Sequence, residues 1–97
     1  DYNKIDLLNI RSAYYIRIMT KDLAGVLSKI TGFFKDQKIS IEKIMQLPDK
    51  NTNINNIVPI IITTHKTKKD IIMKAIKKIQ KQKFILEKIS IIPIDSN

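Results

Sequence analysis

A chain of 97 residues holds one domain at most, because a single hydrophobic core serves roughly 100–150 residues. At 43% hydrophobic and 28% charged it is neither a disordered tail nor a membrane protein, and no run nears the roughly 20 apolar residues of a membrane helix. The absence of cysteine excludes disulfides, thiolate metal sites and a cysteine nucleophile, while the net charge of +9 raises the question of nucleic acid.

That charge has a plain source. Of the 18 basic residues 16 are Lys, with Arg only at positions 11 and 17, and the chain also carries 22 Ile and 7 Asn. Lys, Ile and Asn rise together when codons drift in an AT-rich genome, so the balance is expected to reflect codon usage rather than a partner. No charged-then-apolar leader opens the sequence, which makes the cytoplasm the expected compartment. An opening at Asp1 rather than Met suggests a piece of a longer protein.

Residues 1–12 (DYNKIDLLNIRS) show no sustained period and read as a connector from an upstream domain, leaving 13–97 as the folded unit. Tyr14 to Met19 then alternates, with Tyr14, Ile16 and Ile18 on one face, and predicts a strand. After the turn Thr20 to Gly25 the period changes. Leu23, Val26, Leu27, Ile30, Phe33 and Phe34 recur at three- and four-residue steps, which predicts an amphipathic helix fraying near Gln37. Ile39 to Leu47 returns to strand alternation, with Lys43 out of phase and expected at a bulge or an exposed edge.

Pro48 to Asn56 (PDKNTNINN) reads as a mobile hairpin connection. Ile57 to Thr64 is a β-branched strand whose Pro59 must place its missing donor at a bulge or an unpaired position. Thr67-Lys68-Lys69-Asp70 resembles a capping sequence with Thr67 as N-cap. Ile71, Ile72, Ala75, Ile76 and Ile79 then form one helical face, opposite Lys74, Lys77, Lys78 and Lys81. Phe84 to Ile94 closes the chain as a last strand. The order strand-helix-strand-strand-helix-strand predicts an α+β, ferredoxin-like βαββαβ sandwich, a four-stranded antiparallel sheet with two helices on one face.

Residues suited to catalysis are few. His65 is the only histidine, Ser28, Ser40 and Ser90 have no evident base, and Gly25 with Gly32 falls short of a dinucleotide fingerprint. The segment is therefore expected to be no enzyme, to hold no metal and to need no cofactor. RNA-recognition domains share this element order but stack bases on aromatics of the central strands. Here Ile57 to Thr64 has no aromatic residue, and of Tyr14 and Tyr15 one must face the helices, so no nucleic-acid partner is expected.

The turn Asp22-Leu23-Ala24-Gly25-Val26-Leu27 joins a strand to a helix N-terminus, where free N–H groups and the helix dipole can hold an anion. Gly25 permits close approach to that backbone and Asp22 could meet a cation, the two requirements of a free α-amino acid. Equally, Asp22 could simply cap the helix, and Gly25 could simply relieve a tight turn.

The same hexapeptide resembles the Asp-x-Pro-Gly-Val-Leu signature of ACT domains, small-molecule-binding regulatory modules of amino-acid metabolism. Tyr14-Tyr15-Ile16-Arg17, Ile39-Ser40-Ile41-Glu42 with Gln46, and Val58-Pro59-Ile60 leading into Thr64-His65 are similar to the C-terminal ACT domain of bacterial homoserine dehydrogenases. The resemblance runs over about residues 13–94, with Ala24 in place of the usual Pro. It implies an allosteric domain sensing threonine in aspartate-family biosynthesis, attached to the upstream catalytic domain of an NAD(P)-dependent oxidoreductase. Carried over, it places Asp22 on the ligand's amino group and the backbone of Gly25, Val26 and Leu27 on its carboxylate. Thr20 lies nearby, Ser40 comes from a neighbouring subunit, and Gln46 is a weaker candidate. Another amino-acid ligand, or a ligand-free dimerisation module, is the alternative. The second strand sits at the sheet edge in this fold, so Ile39, Ile41, Met45 and Leu47 favour a homodimer through that strand.

Overall fold

The computed structural model describes residues 10–47 and 56–94. Its elements are β1 (Arg11–Lys21), α1 (Val26–Asp36), β2 (Ile41–Gln46), β3 (Ile57–Thr64), β4 (Thr67–Lys68), α2 (Lys69–Gln80) and β5 (Ser90–Ile94). The stretch read as a connector is thus strand from Arg11 onward. The hairpin connection expected over Pro48 to Asn56 falls, except for Asn56, outside the described residues.

β1 is the centre of the sheet. It pairs antiparallel with β3 from Tyr15↔Thr63 to Lys21↔Ile57, and with β5 from Ala13↔Ile94 to Arg17↔Ser90. β2 pairs antiparallel with β3 and has no described strand beyond it, so it forms an edge as expected. The strict alternation of β1 settles which face is inside. Tyr14, Ile16, Ile18 and Thr20 are buried under the helices, while Tyr15, Arg17 and Lys21 are exposed on the other face. Burial pushes the Tyr14 phenol pKa up, because the tyrosinate is the form that loses hydration.

Both helices close over that face. Val26, Ile30 and Phe34 of α1 and Ile72, Ala75, Ile76 and Ile79 of α2 are buried against Ile16, Ile18, Ile60 and Ile62. Lys74, Lys77 and Lys78 take the exposed side of α2. Leu23 departs from the expected stripe: it precedes the helix and is 56% exposed.

Three expectations about element ends change. The sheet has five strands, not four, because pairing with β1 resumes after Thr64 with its register moved by one residue, at Ser12↔Thr67 and Arg11↔Lys68. At the break the Tyr14 N–H donates to Thr64 Oγ1 at 3.1 Å. Thr67 consequently lies in β4 and is buried. The N-cap of α2 is Lys68, without a side-chain bond. The run Phe84 to Ile94 does follow β1, but in two pieces. Lys21 N–H donates to the Phe84 carbonyl and Leu86 N–H to the Met19 carbonyl, and pairing restarts only at Ser90. Between the pieces the Gln80 side chain holds the backbone, donating to the Glu87 carbonyl at 3.0 Å and accepting from Ile89 N–H at 2.8 Å.

The two irregular strand residues sit where the geometry tolerates them. The register of β2 shifts between Ile41 and Lys43, so the out-of-phase lysine marks a bulge. Pro59 accepts at its carbonyl from Leu47 N–H at 2.9 Å. A strand residue's N and O point the same way, so the missing Pro59 donor faces Leu47, just past the end of β2.

Candidate functional site

A cleft of about 510 Å³ opens where the end of β1 turns into α1. Its floor is Val58 and Ile60 of β3 with Thr20 of β1, all on the helix-covered face of the sheet. Its walls are the turn Lys21 to Gly25, the first two turns of α1 and, from the edge strand, Gln46. The cleft is therefore a gap between α1 and the β2 edge that the helix does not cover.

The turn is held by its own backbone. Asp22 N–H donates to the Asn56 carbonyl at 2.6 Å, Leu23 N–H to the Lys21 carbonyl at 3.0 Å, and Lys29 N–H to the Gly25 carbonyl at 3.0 Å. Gly25 is the N-cap of α1, with φ of 84°, and no side chain caps the helix. This settles the alternative left open for Asp22, whose exposed carboxylate does not cap α1. The Val26 N–H is itself taken up by the Leu23 carbonyl at 3.3 Å, so the first turn of α1 offers the cleft its remaining N–H groups and the positive end of its dipole.

A Cβ on Gly25 would meet nothing within 4 Å, so the demand for glycine comes from φ alone. Gly25→Ala should lower stability by about 1–2 kcal/mol, the penalty of a left-handed L-residue, as read by urea denaturation. Gly25→Asn should cost less, since Asn tolerates that region better.

Of the residues proposed from sequence, Thr20, Asp22, Gly25, Val26 and Leu27 all line this cleft, as does Gln46. Ser40 does not: it precedes β2 at the end far from Gln46, where its carbonyl accepts from His65 N–H at 2.9 Å. Lys21, Leu23, Ser28, Thr31, Val58 and Ile60 line the cleft without having been assigned to the ligand. Ser28 and Thr31 were legible as the polar flank of the α1 stripe, whereas Val58 and Ile60 look like any core strand until the strand order is known. Among the described residues no cluster of three or more His, Cys, Asp or Glu side chains could hold a metal ion. No helix of the described residues is long and apolar enough to cross a membrane.

The family model described as ACT domain matches residues 14–81. Homoserine dehydrogenase of Bacillus subtilis is 41% identical over 59 residues, which are 61% of this chain and 13% of that one. That of Neisseria gonorrhoeae is 31% identical over 87 residues, 90% of this chain and 19% of its own length. Among solved structures, a homoserine dehydrogenase from Thiobacillus denitrificans superposes with a TM-score of 0.78 at 31% identity, covering 92% of this chain and 19% of that chain. The ACT domain of GTP pyrophosphokinase from Chlorobium tepidum shares the fold, with a TM-score of 0.67 at 17% identity, over 86% of this chain and all of its own. The chain thus spans about a fifth or less of the homoserine dehydrogenases it matches. Sheet order, paired helices, glycine turn and matched family model agree: the chain belongs to the ACT domain family, as a regulatory domain related to that of homoserine dehydrogenase.

Proposed function

We propose that this domain senses an amino acid, threonine, and regulates a homoserine dehydrogenase catalytic domain on the same polypeptide. The observation that carries the reading is the cleft itself. It sets an uncapped helix N-terminus beside the Asp22 carboxylate, above an apolar floor of Val58 and Ile60. An α-carboxylate suits the first, an α-ammonium the second, and a short side chain the third. A thermal-shift screen of the twenty amino acids tests this: threonine should raise the melting temperature with the logarithm of its excess over Kd. A larger shift with another amino acid would replace threonine, and no shift with any would favour a ligand-free dimerisation module.

The dimer belongs to the same proposal. β2 is an edge strand, and Ile44, Met45 and Leu47 on or beside it are 36%, 47% and 43% exposed. Two β2 strands paired antiparallel near Lys43 would bring the partner's Ser40 toward Gln46, each residue lying on its own side of that centre. Such a pairing would bring Ser40 to the cleft's open side from a second copy, where one chain alone does not. Leu47 N–H faces β3, so by alternation the Ile44 N–H faces outward. Ile44→Pro removes that donor while sparing the bonds to β3, and light scattering should find the dimer shifted toward monomer. Ile41→Lys is a poorer choice, since Ile41 is packed against the core.

A further inference from the structure

The sheet has a second gap, at the described edge opposite β2. Between α2 and β5 a groove of about 630 Å³ is walled by Ile10, by Ile91 and Pro93 of β5, and by Met73 of α2. It stands to the second helix as the cleft stands to the first, at the helix start and beside an edge strand. Its lining differs in kind. The walls are apolar, no described carboxylate lines it, and its one charge is Lys69 in the first turn of α2. Lys69 and Met73 are four residues apart and so share one side of the helix. The N-cap Lys68 makes no side-chain bond, and the positive end of the helix dipole lies at the same end of the groove as Lys69.

Tyr14 is the residue that core packing does not account for. It is 7% exposed, within the core under the helices. Its phenol donates to no described residue, yet no described side-chain oxygen is both sealed from water and unpaired. The hydroxyl therefore opens into the groove that Tyr14 lines. A phenylalanine would fill the same core, so the hydroxyl adds a donor with no protein acceptor. With its pKa pushed up by burial, the phenol keeps that hydrogen at neutral pH.

We propose that this groove is a second binding site, for a small carboxylate with an apolar body and no ammonium group. The Lys69 ammonium, on its flexible stem, and the Tyr14 hydroxyl supply donors to the carboxylate, at the positive end of α2. The body lies against Ile10, Met73, Ile91 and Pro93. A free amino acid does not suit the groove, because its ammonium would meet no carboxylate there and would stand near Lys69. An alcohol of the same shape keeps the apolar contacts and forgoes the charge. The site is independent of the threonine reading: β1 reaches both places, but no residue lines both.

The test uses one carbon skeleton with three head groups. Amide resonances of the isotope-labelled chain are followed in titrations with 4-methylpentanoate, 4-methylpentan-1-ol and L-leucine. The carboxylate should move the amides of Ser12, Tyr14 and Lys69 to Met73 and leave those of Asp22 to Val26 in place. At this groove it should bind at least roughly 10-fold more tightly than the alcohol or leucine. Lys69→Gln should bring it down to the alcohol's affinity. Tyr14→Phe should weaken it by a similar factor and leave any response to threonine unchanged. No shift with 4-methylpentanoate at millimolar concentration, equal affinity for the alcohol, or unaltered affinity in either variant overturns the proposal. Binding that appears only when residues 1–9 are deleted also overturns it, since the chain itself would then fill the groove. Light scattering in which Met73→Lys turns a dimer into monomer does the same, with a second copy as the occupant. None of these outcomes touches the cleft at Asp22.

Discussion

Asp22→Ala is expected to weaken threonine binding about 10- to 150-fold while leaving the free domain nearly as stable as before. The first half follows from losing one charge-assisted hydrogen bond, worth roughly 1.5–3 kcal/mol, at about 1.4 kcal/mol per decade of affinity. The second half follows from the cap geometry. The N-cap of α1 is Gly25 and no side chain bonds there, so removing the exposed Asp22 carboxylate takes no cap away. A surface substitution of that kind moves stability by about 0.5 kcal/mol or less. Loss of an N-cap would instead cost about 1 kcal/mol with or without threonine. Asp22→Asn should bind between the two, since its amide oxygen still accepts from an ammonium. Calorimetry together with urea denaturation separates the cases. Equal threonine affinity in Asp22→Ala and the parent would take Asp22 out of the site.

The turn was the legible part of this site because its chemistry is local. Asp22, Gly25 and the start of α1 lie within a few residues, and a strand-to-helix junction presents them together whatever the rest of the chain does. Thr20 was read as the first residue of the turn, whereas it continues the inward phase of Tyr14, Ile16 and Ile18 and lies buried in β1. The floor was not legible in the same way. Val58 and Ile60 read as core, and only the strand order brings β3 beneath α1 beside β1. Thr31 was passed over because a half-buried polar residue on a helix flank is ordinary until the opposite wall is known. Ser40 marks the remaining limit, since its proposed place depends on a second copy of the chain.

The fold was readable where periodicity is long and regular, as in β1 and both helices. Element ends were less so, for reasons that lie in tertiary contacts. Thr67 has the chemistry of a cap, yet pairing with Ser12 draws it into β4, and Lys68 takes the cap position instead. Phe84 to Ile94 carries β-branched residues throughout, but the Gln80 side chain bridges Glu87 and Ile89 and divides it. No periodicity argument contains either contact.

The largest loss of stability is expected from Phe34→Ala. Phe34 is fully buried at the last turn of α1, among the largest side chains of the core. Its carbonyl also accepts from Gln37 N–H at 3.2 Å and Ile39 N–H at 3.0 Å, so the residue fixes where the chain leaves the helix toward β2. Truncating a buried Phe to Ala costs about 3–5 kcal/mol, through lost transfer energy and the cavity left behind. Against a total stability of roughly 5–15 kcal/mol for a domain, that is a large share. At about 4–8 °C per kcal/mol for a chain of this size, the melting temperature should fall by at least roughly 12 °C. Phe33→Ala is the control, one residue away on the same helix but only partly buried, and should cost clearly less. Because the cost arises in the core and not in the cleft, the two effects separate. Below its melting temperature Phe34→Ala should still bind threonine, and saturating ligand should raise that temperature as it does in the parent. A Phe34→Ala loss no larger than that of Phe33→Ala would mean that the core does not close over α1 at this point.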